Sequence, residues 1–204
     1  MKKGLVGMIM AVAGMAAYAE EAPALRAYAS VGYGHGGAAL VSGVFSSGQA
    51  FELNAGDGLV LTLGADYRLT DRFSVRGSIG YQYDDIRAVN ADLEFTRHPV
   101  ELMGLYALSE QVRVGLGVRK VVGAEVTLTD AATVLAGAGK YDSSVGAVLE
   151  GQYLFNTPSP MARSLVTGLN LRFVSESFTQ KDDGAGPYEK KSGSHIELGL
   201  MFYY

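Results

Sequence analysis

The chain has 204 residues, with 17 Lys and Arg against 21 Asp and Glu and a net charge of −4 at pH 7. That balance leaves no basic footprint for nucleic acid. The chain contains no Cys, which excludes disulfides, thiol catalysis and thiolate metal sites. In chain order, Met1-Lys2-Lys3 is a positive n-region, Gly4 to Ala16 is apolar, and Ala17-Tyr18-Ala19 is a small-x-small cleavage site. Residues 1–19 read as a signal peptide and 20–204 as a single domain. No later stretch approaches the roughly 18 uninterrupted apolar residues of a membrane-spanning helix.

Alternating segments then recur along the chain, each with its apolar set at a period of two. The first four carry Leu25 to Tyr33, Leu59 to Leu69, Phe73 to Tyr83 and Val100 to Leu108. The last four carry Val112 to Val118, Val145 to Phe155, Leu165 to Phe173 and Ile196 to Tyr204. Short turns, Thr70-Asp71-Arg72 and Ser109-Glu110-Gln111, follow the second and fourth; Asn156-Thr157-Pro158-Ser159-Pro160 follows the sixth. Longer, polar, Gly-rich segments lie near 35–57, 84–96, 121–142 and 176–193. Short turns on one side and long loops on the other is the pattern of an outer-membrane barrel, with the short turns in the periplasm. An even strand count then puts both termini in the periplasm.

The polar phase of these segments decides between a soluble carrier and a membrane barrel. It holds Arg26, Asp66, Arg76, Glu101, Arg113, Arg119, Glu150, Arg172 and Glu197, several at mid-strand. An Arg facing lipid at the midplane costs roughly 2–4 kcal/mol. The polar phase is therefore expected to face the lumen and the apolar phase the lipid. Tyrosine, at 12 residues, clusters near both ends of the outward phases, where amphipathic rings favour the membrane interfaces.

Glu197-x-Gly199-x-x-Phe202-x-Tyr204 closes the eighth segment. With the leader and the seven preceding strands, it resembles the small eight-stranded outer-membrane β-barrel family, of the type of outer membrane proteins X, W and A. Val112 to Phe155 is also similar to porin-family proteins. The resemblance implies an all-β, antiparallel, up-and-down transmembrane barrel in the cell outer membrane. It implies lipopolysaccharide and outer-membrane lipids as surroundings. It also implies an assembly signal, carried by Gly199, Phe202 and Tyr204, for the barrel-assembly machinery.

Candidate chemistry is sparse. The three His, His35, His98 and His195, have no metal-ligand spacing. Ser194, His195 and Glu197 invite comparison with a hydrolase group, but neighbours on a strand point to opposite faces. Gly32-x-Gly34-His35-Gly36-Gly37 lacks the following helix of a phosphate loop, and Gly137-x-Gly139-Lys140 lacks the Ser or Thr that a nucleotide loop needs. No catalytic residue, metal or cofactor is assigned. The reading is a non-enzymatic structural or surface-interaction barrel with a filled polar lumen. The alternative is a narrow channel for small or apolar solutes, which outer membrane protein W suggests.

The lumen carries the sharpest expectation. Counting back from the short turns sets Asp66 opposite Arg76 and Glu101 opposite Arg119. Glu150, Arg172 and Glu197 fall at similar depths. These seven residues form a network of alternating sign, with Gly115, Gly117, Gly168 and Gly199 leaving room for guanidinium groups to cross. Buried charges persist when paired and hydrogen-bonded, so Arg119 and Arg172 are expected to plug the barrel.

Overall fold

Alternation becomes strand pairing through most of the chain. The computed structural model describes residues 24–44, 50–88, 91–129, 138–155, 165–181 and 189–204. The expected leader and the Pro-rich turn at 156–160 lie outside these, as do parts of the Gly137 to Lys140 and 176–193 segments. Among the described residues there are thirteen strands: β1 (Leu25–Gly36), β2 (Ala39–Val44), β3 (Ala50–Asn54), β4 (Gly58–Arg68), β5 (Phe73–Ala88), β6 (Ala91–Ala107), β7 (Val112–Thr129), β8 (Gly139–Ser143), β9 (Val145–Leu154), β10 (Val166–Ser175), β11 (Ser177–Gln180), β12 (Lys191–Ser192) and β13 (His195–Tyr203). Strands β1, β4, β5, β6, β7, β9, β10 and β13 are the eight staves. Each pairs antiparallel with its neighbours, and β13 returns to β1 to close the barrel.

Two short turns set the register by the same device. Thr70 Oγ1 accepts from the backbone N–H of Arg72 (3.3 Å) and of Phe73 (3.0 Å). Ser109 Oγ accepts from Gln111 (3.3 Å) and Val112 (3.0 Å). A hydroxyl that satisfies two turn amides fixes where the flanking strands begin to pair. The ladders then run Asp66↔Arg76 and Glu101↔Arg119, with Arg172 between Glu150 and Glu197.

Exposure identifies the two faces. Leu116 is 67 % and Leu198 57 % exposed, while Arg119 and Glu197 are 1 % and 2 % exposed. A continuous apolar exterior around the staves exceeds what a water-soluble surface carries. It suits lipid, where a closed ring of paired strands leaves no open sheet edge.

Segments 84–96 and 121–142, read from sequence as polar loops, are largely strand. β5 and β6 stay paired as far as Ala88↔Ala91, and β6 and β7 as far as Asp92↔Thr129. Here the phases are exchanged: Leu93, Phe95, Ala124 and Val126 are buried, and Glu94, Glu125 and Thr127 face out. β6 keeps its inward parity from Leu105 to Leu93, while β7 shifts by one residue at Val122–Gly123 (Gly123 φ 81°), opposite Arg97 to Pro99. A search for apolar-out alternation misses strands that leave the membrane and stand in water, where apolar-in is favourable.

A separate two-stranded sheet, β2 with β3, covers this extension. Leu40, Val41, Leu53 and Ala55 from the hairpin region join Phe95, Val121, Tyr141 and Phe178 of the wall in one buried cluster. Burial pushes the Tyr141 phenol up to about 12, so the ring stays neutral within it. The hairpin leaves the barrel through Gly36 (φ 126°) and Gly37 (φ 85°) and returns near Gly58 (φ 113°), conformations that favour Gly. Lys191 Nζ donates to the carbonyls of Ala39 (2.8 Å) and Leu40 (2.9 Å), tying the hairpin to β12.

Candidate functional site

The inward phase of the staves assembles a stack of ion pairs along the barrel axis. Nearest the short turns, Asp66 receives Arg76 (Nε–Oδ1 2.5 Å, Nη2–Oδ2 3.1 Å) and Arg113 (3.1 Å). Arg76 also reaches Glu150 (3.1 Å), donates to the Tyr203 hydroxyl, and lies 3.6 Å from the centre of the Tyr28 ring. Tyr203 in turn donates to Gln152 (2.9 Å), which donates to Glu150. Tyr28, Leu154, Val166, Met201 and Tyr203 form an apolar layer here.

At mid-barrel, Arg172 spans the lumen. Its guanidinium contacts Glu197 (2.5 Å), Glu101 (2.6 Å) and Glu150 (3.2 Å). Arg119 meets the same wall from the other side: Glu197 at 2.8 Å, Glu101 at 3.3 Å, and a donated hydrogen bond to Gln82 at 3.1 Å. Ser78 donates to Glu101 (3.3 Å). Asp66, Arg76, Glu101, Arg119, Glu150, Arg172 and Glu197 thus lie in one connected network. Fork-shaped guanidinium groups suit it because each reaches two or three carboxylates at once.

Above mid-barrel the network continues through residues that sequence reasoning missed. Glu176 lies 3.4 Å from Arg119 and 3.8 Å from Arg97. Arg97 donates to the carbonyl of Asp57 (3.1 Å) and lies 4.8 Å from the centre of the Phe95 ring, joining the ionic layer to the apolar cap. His195 is buried, its Nε2 3.0 Å from Glu197 and its Nδ1 2.6 Å from the carbonyl of Gly193. Ser194 is exposed while His195 is buried, so the two do not form a nucleophile–base pair. Arg97 and Glu176 each lie four residues from a named lumen charge, Glu101 and Arg172, in the same phase. That phase was the signal available in the sequence.

One expectation is corrected. Side chains built at Gly115 and Gly117 would strike Met103, and those at Gly168 and Gly199 would strike Met201 and Asn170. These glycines admit apolar and amide packing around the network, not the guanidinium groups themselves. Gly199 also lies across from Gly32 at the seam between β13 and β1. Phe202 and Tyr204 are on the lipid-facing phase of the same segment, and Tyr204 exchanges backbone hydrogen bonds with Ala27 (2.9 and 3.0 Å).

The family model for the outer membrane protein beta-barrel domain matches residues 5–119, more than half of the chain. The chain belongs to the outer-membrane β-barrel family. It is an outer-membrane protein of the eight-stranded type. No curated protein matches it. Among solved structures it is similar to Neisserial surface protein A, at 12 % identity and TM-score 0.47, covering 88 % of this chain and 96 % of that one. It is also similar to the outer membrane protein AlkL, at 12 % identity and TM-score 0.41, covering 88 % and 87 %. OprG from Pseudomonas aeruginosa gives 10 % identity and TM-score 0.40, covering 92 % and 99 %.

Proposed function

We propose that this barrel is a sealed, non-enzymatic surface protein whose work is done by the part standing beyond the membrane. The observation that carries the reading is the double closure of the axis. The ionic network from Asp66 to Glu176 fills the lumen, and the apolar cluster under the β2–β3 hairpin fills the mouth above it. Eight staves leave an interior about wide enough for side chains, and here side chains occupy it. In this reading the short turns and both termini face the periplasm and the extension faces the medium. Lipopolysaccharide surrounds the outer rim, a surface partner meets the extension, and the assembly machinery reads Gly199, Phe202 and Tyr204.

Planar-bilayer recording of the refolded protein tests it. The expected trace shows rare, brief events; steady ohmic conductance overturns the proposal. The second reading, a path for small apolar solutes, is favoured by the apolar cluster at the mouth. Liposome uptake of an apolar probe, raised when residues 39–54 are replaced by a Gly-Ser linker, would select it. Mass spectrometry of lipid A from cells overexpressing the protein tests the non-enzymatic part: unchanged lipid A is expected, and a modified acyl pattern refutes it.

A further inference from the structure

Lumen charges are distributed unevenly along the axis. In the middle and upper layers, Arg97, Arg119 and Arg172 meet Glu101, Glu150, Glu176 and Glu197. Toward the short turns the balance reverses. Arg26 and Arg113 line a vestibule of about 830 Å³ whose inward carboxylate, among the described residues, is Asp66. Asp66 already receives both Arg76 and Arg113. Arg68, Asp71, Arg72 and Glu110 border the vestibule from exposed positions, where solvent screens them.

Arg26 is the distinctive member. It stands opposite Asp66 in the β1–β4 ladder and is half-buried, with Arg68 and Arg113 as repelling neighbours. Among the described residues it has no ion pair or side-chain hydrogen bond. Leu154, Val166 and Tyr203 form the inner end, and the ion-pair stack lies beyond. The vestibule is therefore a dead-end cup, open to water at one side. Confinement within the barrel wall focuses the field of its cations.

We propose that this cup binds soluble multivalent oxyanions, held by the guanidinium groups of Arg26 and Arg113, with Arg68 at the rim. Guanidinium forks recognise phosphate and carboxylate oxygens alike by paired, charge-assisted hydrogen bonds. A multivalent anion compensates several of them at once. Because the plug closes the far side, the cup is a binding site and not an entry to a pore. This holds whichever way the barrel is oriented in the membrane.

Titration calorimetry of the refolded barrel in zwitterionic micelles tests it, at ionic strength held constant with sodium chloride. The probes are inorganic pyrophosphate and citrate. Saturable binding of one probe per barrel is expected, and the tighter probe tells phosphate from carboxylate preference. Arg26→Gln is expected to weaken it about tenfold, the scale of one charge-assisted hydrogen bond. Lys181→Gln, beside Asp142 outside the cup, is expected to leave it unchanged. Arg68→Gln supplies a second cup variant, and heat-modifiable gel migration shows that each protein is folded. Absence of saturable binding to folded protein, or equal affinity in the cup variants, overturns the proposal.

Discussion

Arg172 touches three carboxylates, so its removal is felt at all of them. Arg172→Met leaves Glu101, Glu150 and Glu197 with one cation fewer in a buried site. Breaking a buried ion pair from one side costs about 3–5 kcal/mol. Urea unfolding of the refolded barrel should show that loss, and bilayer recording should show more frequent openings. Glu94→Gln, on the exposed face of the extension, should shift stability by less than about 0.5 kcal/mol. An equal effect of the two substitutions would refute the network's role as a plug. At this scale the sequence reading reached as far as its reference points. Thr70 and Ser109 define where counting starts, and the pairs Asp66↔Arg76 and Glu101↔Arg119 follow arithmetically. Arg97 stays in phase with Glu101 along β6, but its register across to β7 slips and no longer follows from Ser109, and Glu176 lies beyond the break between β10 and β11.

Among the elements, the β2–β3 hairpin has the least wall support, since it pairs only with itself. Its apolar underside is what holds it. Leu53→Asp would bury a carboxylate in an apolar cluster, at the cost of its hydration. The expected result is a barrel that still shows heat-modifiable migration but binds the dye ANS more strongly, as the cap lifts from Phe95 and Phe178. Unchanged dye binding would mean that the hairpin does not cap the cluster. β13 behaves differently because it is hydrogen-bonded on both edges, to β1 and to β10. Deleting residues 202–204 strips pairing partners from Ala27, Tyr28 and Thr167. Unpaired backbone in lipid costs several kcal/mol per group, so the variant should fail to insert; normal heat-modifiable protein would contradict this. The eight staves were legible because lipid enforces one simple alternation. The extension was not, because its apolar side faces inward and its strands resemble polar loops to a search for the membrane phase.

Taken whole, the molecule joins two portions of opposite polarity: a closed membrane barrel, and an extension in which β5, β6 and β7 continue beside β8, β11 and β12. The membrane portion is apolar outside and ionic inside; the extension is polar outside and apolar inside. Each portion should respond to its own solvent condition. High salt should weaken neither strongly, because the ion pairs are buried away from screening. Mild urea should loosen the extension first, seen as proteolysis near β8 and β11 while the membrane staves stay protected. Simultaneous loss of both would show a single cooperative unit instead. The seam between β1 and β13 has a further consequence, for the order of events in time. Seven of the eight stave pairings join strands that are neighbours in the chain, apart from short excursions, and can zip locally. The eighth joins Ala27 to Tyr204 across nearly the whole described chain. Loop closure of that length is entropically unfavourable and kinetically late. Until it happens β1 is an open edge, a template for any other strand. Maturation of this protein is therefore a wait by its earliest strand for its latest one, and whatever shelters β1 during that interval governs the yield of closed barrel.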